Sequence, residues 1–132
     1  MVTGGCRCGE VRYEAAGDVA HSAFCHCSDC QMGSGAPMVA WIAFKSDQFR
    51  ITKGEPVTYN GSGKSIRQFC GTCGTPLVFF NEDFLPGIVD IQTVTLDDPD
   101  AHAPQVHVQV AERRKWMAGA EKLPEFERFP LG

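Results

Sequence analysis

An all-β fold of short strands is what this 132-residue sequence predicts, on three observations. Apolar or alternating runs of four to seven residues recur along the chain, clusters of Gly, Pro, Asn and Asp separate them, and no window sustains a 3.6-residue apolar period. The first strand is read at 11–15, where Val11, Tyr13 and Ala15 alternate with Arg12 and Glu14 after a cysteine-bearing turn at Arg7 to Gly9. Met38 to Phe44 is apolar on both faces and reads as central to a sheet. Further strands are read at 50–52, 56–60, 65–69, 76–80, 88–94 and 106–110, with turns at 53–55, 60–63 and 96–104. Helix is limited to single turns near Ser28 to Met32 and Ala111 to Met117. The tail from Ala118, with Pro124, Phe126, Phe129 and Pro130, reads as an extended segment packed by its aromatics or as a loose one. No repeat of fixed period and no linker interrupts the pattern, so one domain over residues 1–132 is expected.

Composition sets the class. Hydrophobic residues make up 43% and charged residues 21%, as in ordinary soluble globular proteins, and the length suffices to bury a core without disulfides. The opening MVTGGCRCGEVRY lacks a charged region followed by an apolar stretch, so no signal peptide is read. No apolar run approaches the ~18 residues of a membrane-spanning helix, so no membrane partner is expected. The expected setting is the cytoplasm, where clustered thiols are more often metal-binding or catalytic than bridged. The formal net charge of −4 offers no general attraction for nucleic acid, and the short basic run Arg113, Arg114, Lys115 reads as a solvated segment.

Seven cysteines carry the chemistry, grouped as Cys6 and Cys8 (CxC), Cys25, Cys27 and Cys30 (CxCxxC), and Cys70 and Cys73 (CxxC). Two apart on an extended segment, thiolates share a face; three apart around a turn, they converge on one ion at about 2.3 Å. CGTCG at 70–74 reads as a zinc knuckle whose glycines allow positive φ and let backbone N–H groups point at sulfur. The CxC pair, also followed by glycine, supplies two complementary ligands about sixty residues away. The CHCSDC run is different in kind, because three thiolates leave a fourth position open to water or a substrate thiol. The plainer reading of that run is a reduced thiol cluster without metal, or a redox pair. His26 between two ligands is read as facing away, and His21, His102 and His107 as surface or strand histidines. Asp29 reads as a turn aspartate bonding its own backbone. Trp41, Phe44, Phe79 and Phe80 read as core.

The runs GGCRCGEVRYEA, CHCSDCQMGSGAP, RQFCGTCGTPL and TLDDPDAHAPQVHV resemble successive motifs of the glutathione-dependent formaldehyde-activating enzyme family, whose domain also occurs in centromere protein V. The resemblance spans nearly the whole chain and takes in all seven cysteines in order. It implies a β-tent-like zinc-binding fold of short antiparallel strands. It also implies Cys6, Cys8, Cys70 and Cys73 as structural zinc ligands, and Cys25, Cys27 and Cys30 as catalytic zinc ligands. The implied activity joins glutathione, or another small thiol, to formaldehyde, giving S-(hydroxymethyl)glutathione in a reversible carbon–sulfur lyase reaction. The alternative is a non-catalytic binding or redox-sensing module in which only the four-cysteine site is filled. As carboxylate clamps for glutathione, Arg67, Lys64 and Arg12 are the available cations, each read as solvated.

Overall fold

In the computed structural model, which describes residues 1–61 and 63–130, the short runs pair into two sheets. The first sheet joins β1 (Val2–Gly5), β2 (Arg12–Ala15) and β5 (Phe49–Lys53), all antiparallel in the order β1-β2-β5. The second is built from β3 (His21–Cys25), β4 (Val39–Lys45), β6 (Val57–Asn60), β7 (Ile66–Phe69), β8 (Pro76–Phe80), β9 (Ile88–Gln92) and β10 (Val106–Val108). Its order is β10-β3-β4-β9-β8-β7-β6. One α-helix, α1 (Ser28–Ser34), links β3 to β4, and the rest of the described chain has only short 3-10 turns.

Strand alternation decides the layers. Tyr13 and Ala15 from the first sheet, with Val11 just before β2, are buried against Ile42, Phe44, Val78, Val89 and Ile91 from the second. Full burial of each large side chain among them contributes about 1.5–3 kcal/mol. Tyr13 crosses above β1 at Gly4, where a Cβ would collide with its hydroxyl, and that hydroxyl lies 2.6 Å from Thr95 Oγ1. Arg12 forks onto Asp97, with Nη1 donating to Oδ1 at 2.9 Å, and Thr3 donates to Asp97 Oδ2 at 2.6 Å. These bonds pin the β1–β2 hairpin to the segment that follows β9.

The opposite face of the large sheet carries a different set. Cross-strand pairing puts His21, Ala43, Asp90, Phe79 and Arg67 in one row, Ala23, Trp41 and Gln92 in the next, and Cys25 beside Val39 in the third. Residues directly opposite in a ladder share a face. The core therefore lies between the sheets, and a second, chemically mixed face lies outside it.

The all-β expectation holds, and the helix expected near Ser28 to Met32 forms as α1. Several details differ, among them the strand expected at 88–94, which ends at Gln92 and passes into a 3-10 turn at Thr93–Thr95. Strands β1 and β3 were not anticipated, and β10 pairs with β3 in parallel, the exception to the antiparallel expectation. After β9 the chain crosses through residues 93–105 to the far edge of the sheet and enters it in the same direction as β3. The strand expected at 106–110 stops at Val108, where Gln109 takes a left-handed conformation (φ 57°). The tail is not packed by its aromatics: Phe126 and Phe129 are exposed. Leu131 and Gly132 in that tail, and Ser62 in the expected 60–63 turn, lie outside the described residues. Among the described residues no helix is long and apolar enough to cross a membrane.

Candidate metal centres and the cavity beside them

The four-cysteine group forms where two hairpin turns meet. Cys6 and Cys8 sit in the β1–β2 connection, and Cys70 and Cys73 in the β7–β8 connection, so one turn from each sheet contributes a pair. The four Sγ atoms lie within 4.8 Å of one another, with Cys6 to Cys8 at 3.6 Å and Cys8 to Cys70 at 3.7 Å. A tetrahedral ion with metal–sulfur bonds of about 2.3 Å needs sulfurs about 3.8 Å apart, so the donor set fits such an ion. A disulfide, at about 2.05 Å, is excluded at these separations, and all seven cysteines are free.

The backbone is arranged for thiolates, as expected of a knuckle. Val11 N donates to Cys6 Sγ at 3.2 Å, and Thr72 N and Cys73 N donate to Cys70 Sγ at 3.4 and 3.5 Å. Donors aimed at sulfur favour its charged form. Gly9 and Gly74, each just after the second cysteine of its pair, take φ of 82° and 79°, which lets both turns close tightly. Thr75 joins the turns, its Oγ1 accepting from Arg7 N at 3.1 Å and lying 3.2 Å from Cys73 Sγ.

The three-cysteine group draws on three kinds of position. Cys25 ends β3, Cys27 is the N-cap of α1, and Cys30 lies in its first turn. Cys27 Sγ caps the helix by accepting from Cys30 N at 3.3 Å, and Cys30 Sγ stands 3.6 Å from Cys25 Sγ. All three sulfurs lie within 4.8 Å of one another, again a spacing a single ion can bridge. Hydrogen bonds from the Cys25 and Cys30 thiols, then the Cys30 amide and the field of Arg67, pull the Cys27 thiol far below its ordinary pKa. α1 is braced from behind: Gln31 Nε2 donates to the carbonyls of His26 (2.6 Å) and Glu112 (3.1 Å), and Ser28 N donates to Glu112 Oε1 at 3.0 Å.

Arg67 changes the picture most. Read from sequence as solvated, it is held against the triad with its side chain only 14% exposed. Its Nη2 donates to Asp29 Oδ2 at 2.6 Å and reaches Cys30 Sγ at 3.9 Å, and its guanidinium sits 4.7 Å over the Phe79 ring. Asp29 is thus an ion-pair partner and not a self-bonded turn residue. Trp41 and Phe79, read as core, are core on one side and cavity wall on the other. His26 faces away from the triad, as expected. It is 1% exposed, with Nε2 2.8 Å from His107 Nδ1, and burial, then the charges of Arg113 and His107, lower its pKa.

The triad opens onto a cavity of about 700 Å³ on the outer face of the large sheet. Drug-sized ligand sites span about 300–1,000 Å³, so a small molecule fits. Trp41, Phe79, Phe84, Leu85, Val106 and Val108 form its apolar walls; Arg67 with Asp29, and His21 with Asp90, are its charged groups.

A model of the glutathione-dependent formaldehyde-activating enzyme family matches residues 1–112. The chain belongs to this family. Both cysteine groups, every cavity-lining residue and the bracing Glu112 of this family member fall inside the matched region. A search of curated proteins finds no match. Among solved structures, the crystal structure of a Rhodobacter sphaeroides protein is similar, with 19% identity, a TM-score of 0.64, and coverage of 80% of this chain and 99% of its own. At that identity the likeness speaks for the fold alone.

The His21–Asp90 pair yields a pH prediction for this family member. Asp90 raises the His21 pKa above its ordinary value, against the opposing effect of burial. A raised histidine contributes stability that is fully present below about pH 6.5, its unfolded value, and is lost as pH rises through the folded value. The difference in urea midpoint between wild type and His21→Gln should therefore be larger at pH 6 than at pH 8. A pH-independent difference would show that the pair contributes nothing.

Proposed function

We propose that the chain is a zinc-dependent enzyme that makes and breaks a carbon–sulfur bond, joining a small thiol to formaldehyde as the S-hydroxymethyl adduct. This is formally a reversible carbon–sulfur lyase reaction, with glutathione the thiol that the family's description names. The observation that carries the reading is the convergence of Cys25, Cys27 and Cys30 at the wall of a substrate-sized cavity. Four sulfurs complete a tetrahedral ion, whereas three leave a position for water or substrate. We therefore assign Cys6, Cys8, Cys70 and Cys73 to structural zinc and the triad to catalytic zinc.

In the reaction the thiol sulfur bonds to the aldehyde carbon, and the thiol proton ends on the former carbonyl oxygen; nothing else is consumed or released. Zinc at the triad supplies Lewis acidity and favours the thiolate form of a thiol beside it. Arg67 places a fixed positive charge 3.9 Å from Cys30 Sγ, and Asp29 holds it there. Trp41 and Phe79 exclude water from that side, which strengthens each electrostatic interaction inside. Free thiols need a reducing compartment, which supports a cytoplasmic setting.

Exchange spectroscopy on thiol and formaldehyde tests the reaction, with faster adduct exchange expected from zinc-loaded protein than from metal-free protein. One zinc per chain and no acceleration would leave a zinc-stabilised binding module instead. Within the proposal, Arg67→Gln should weaken zinc affinity at the triad by about tenfold or more, as losses of groups supporting metal ligands do. Chelator competition measures this, and the four-cysteine site should be unaffected.

A further inference from the structure

We propose that residues 113–130 form an arm that seats on a second copy of this chain, giving a two-fold dimer whose arms are exchanged beside the cavity.

The last anchor to the fold is Glu112, whose carbonyl and carboxylate accept from Gln31 and Ser28 of α1. From Arg114 to Pro130 the chain has no strand or α-helix, only 3-10 turns at Lys115–Met117 and Ala120–Lys122. Among the described residues, every hydrogen bond this stretch makes stays within it, as from Met117 N to Arg114 O (3.0 Å) and Lys122 N to Gly119 O (2.8 Å). Its large apolar side chains face water: Trp116, Phe126 and Phe129 are 66%, 57% and 83% exposed, and Leu123 is exposed as well. Fixing such a backbone costs about 1–2 kcal/mol per residue in entropy, and contacts with its own fold do not repay it.

Size and charge identify the occupant. The three aromatics alone leave about 400 Å² of apolar surface in water. In an exchange each copy contributes its arm and the surface that receives the other arm, about 800 Å² together, which is one partner's share of a stable interface. Residues 113–130 carry five cations, led by Arg113, Arg114 and Lys115, and three carboxylates. Residues 1–112 carry seven cations and thirteen carboxylates. A basic arm is therefore drawn to the acidic body of another copy, whereas those same carboxylates oppose a nucleic acid on the arm.

The receiving surface lies where the arm begins. Strand β10 is the outermost strand of the large sheet, so its outer edge has no partner strand, and Val106 and Val108 on it are exposed. An unpaired edge with apolar side chains is a template for another chain. The left-handed turn at Gln109 takes the chain off that edge. A two-fold axis beside β10 thus lays each arm against the other copy's β10 with no long reach, and the same patch is buried twice, as a closed dimer requires. Val106, Val108 and the exposed Phe84 are also cavity-wall residues, so the second copy would cover the apolar rim of the cavity.

Sedimentation equilibrium of the full-length, zinc-loaded chain is the test, and it needs no substrate. At about 10 µM the mass should be twice 14.4 kDa, falling toward 14.4 kDa on dilution. Acrylamide quenching of tryptophan emission should rise over the same dilution range, because Trp41 is buried throughout while Trp116 is covered only in the dimer. The double substitution Trp116→Ser, Phe126→Ser should raise the dissociation constant about 100-fold or more, with circular dichroism unchanged. If that variant does not fold, the joint dependence of mass and quenching on wild-type concentration decides alone. A monomer at about 10 µM overturns the inference, including one in which Trp116 is shielded by its own fold. A folded double variant that dimerises as tightly as wild type overturns it too, because the interface would then lie elsewhere.

Discussion

Replacing Cys73 by Ser should lower the melting temperature by more than about 10 °C or leave the chain unfolded, and should remove one of two zinc ions. Cys73 is exposed, so the lost sulfur costs little packing. What it removes is the closure between a turn of the small sheet and a turn of the large one. Cys6 and Cys70, at 6% and 1% exposure, sit at the end of the hydrophobic core, so releasing the ion also frees that end of the interface. Structural zinc is worth about 10–16 kcal/mol in isolated zinc-finger peptides, comparable to the whole stability of a typical domain. Here the core shares the load, and losing about 3 kcal/mol already corresponds to more than 10 °C at this size. Thermal unfolding by circular dichroism, with metal analysis of the same sample, gives the answer. An unchanged melting temperature would sink the structural assignment.

The fold class and the partition of the cysteines were legible because both are written locally. Alternation at Tyr13 and unbroken apolarity over 39–44 are properties of a few consecutive residues, and so are the CxC, CxCxxC and CxxC spacings. Strand β3 was not legible, since HSAFC has one strong strand former and owes its state to β4 and β10 on either side. Asp90 lies between Val89 and Ile91, which face the core, so alternation sends it to the other face. On an antiparallel sheet that face is by default solvent, yet here it is roofed by the triad's segment and the cavity walls. Arg67 was hidden for the same reason. Its local pattern is that of a solvated strand residue, and only the pairing of β7 with β8 and the position of α1 bring it between Phe79 and Cys30. The groups that adjust a site's charge are thus set by tertiary pairing, which no local spacing records.

Cys30→Ser is the counterpart, and its expected signature is the inverse: a nearly unchanged fold, one zinc ion lost, and thiol–formaldehyde exchange reduced to the solution background. Cys30 is 6% exposed, but serine is nearly isosteric, and the N-cap bond from residue 30 N to Cys27 Sγ does not involve the substituted side chain. The brace from Gln31 and Glu112 is also untouched, so α1 keeps its position. The stability cost should stay near 1 kcal/mol, typical of a single buried substitution that opens no cavity, or a few degrees in melting temperature. A neutral hydroxyl is a poor ligand beside two thiolates, and Arg67 loses the sulfur it faces, so zinc affinity at the triad should collapse. The pair of variants tests a division of labour that neither tests alone. If Cys30→Ser destabilised the fold as much as Cys73→Ser, the triad would be a second structural staple, and the cavity beside it would need another chemistry.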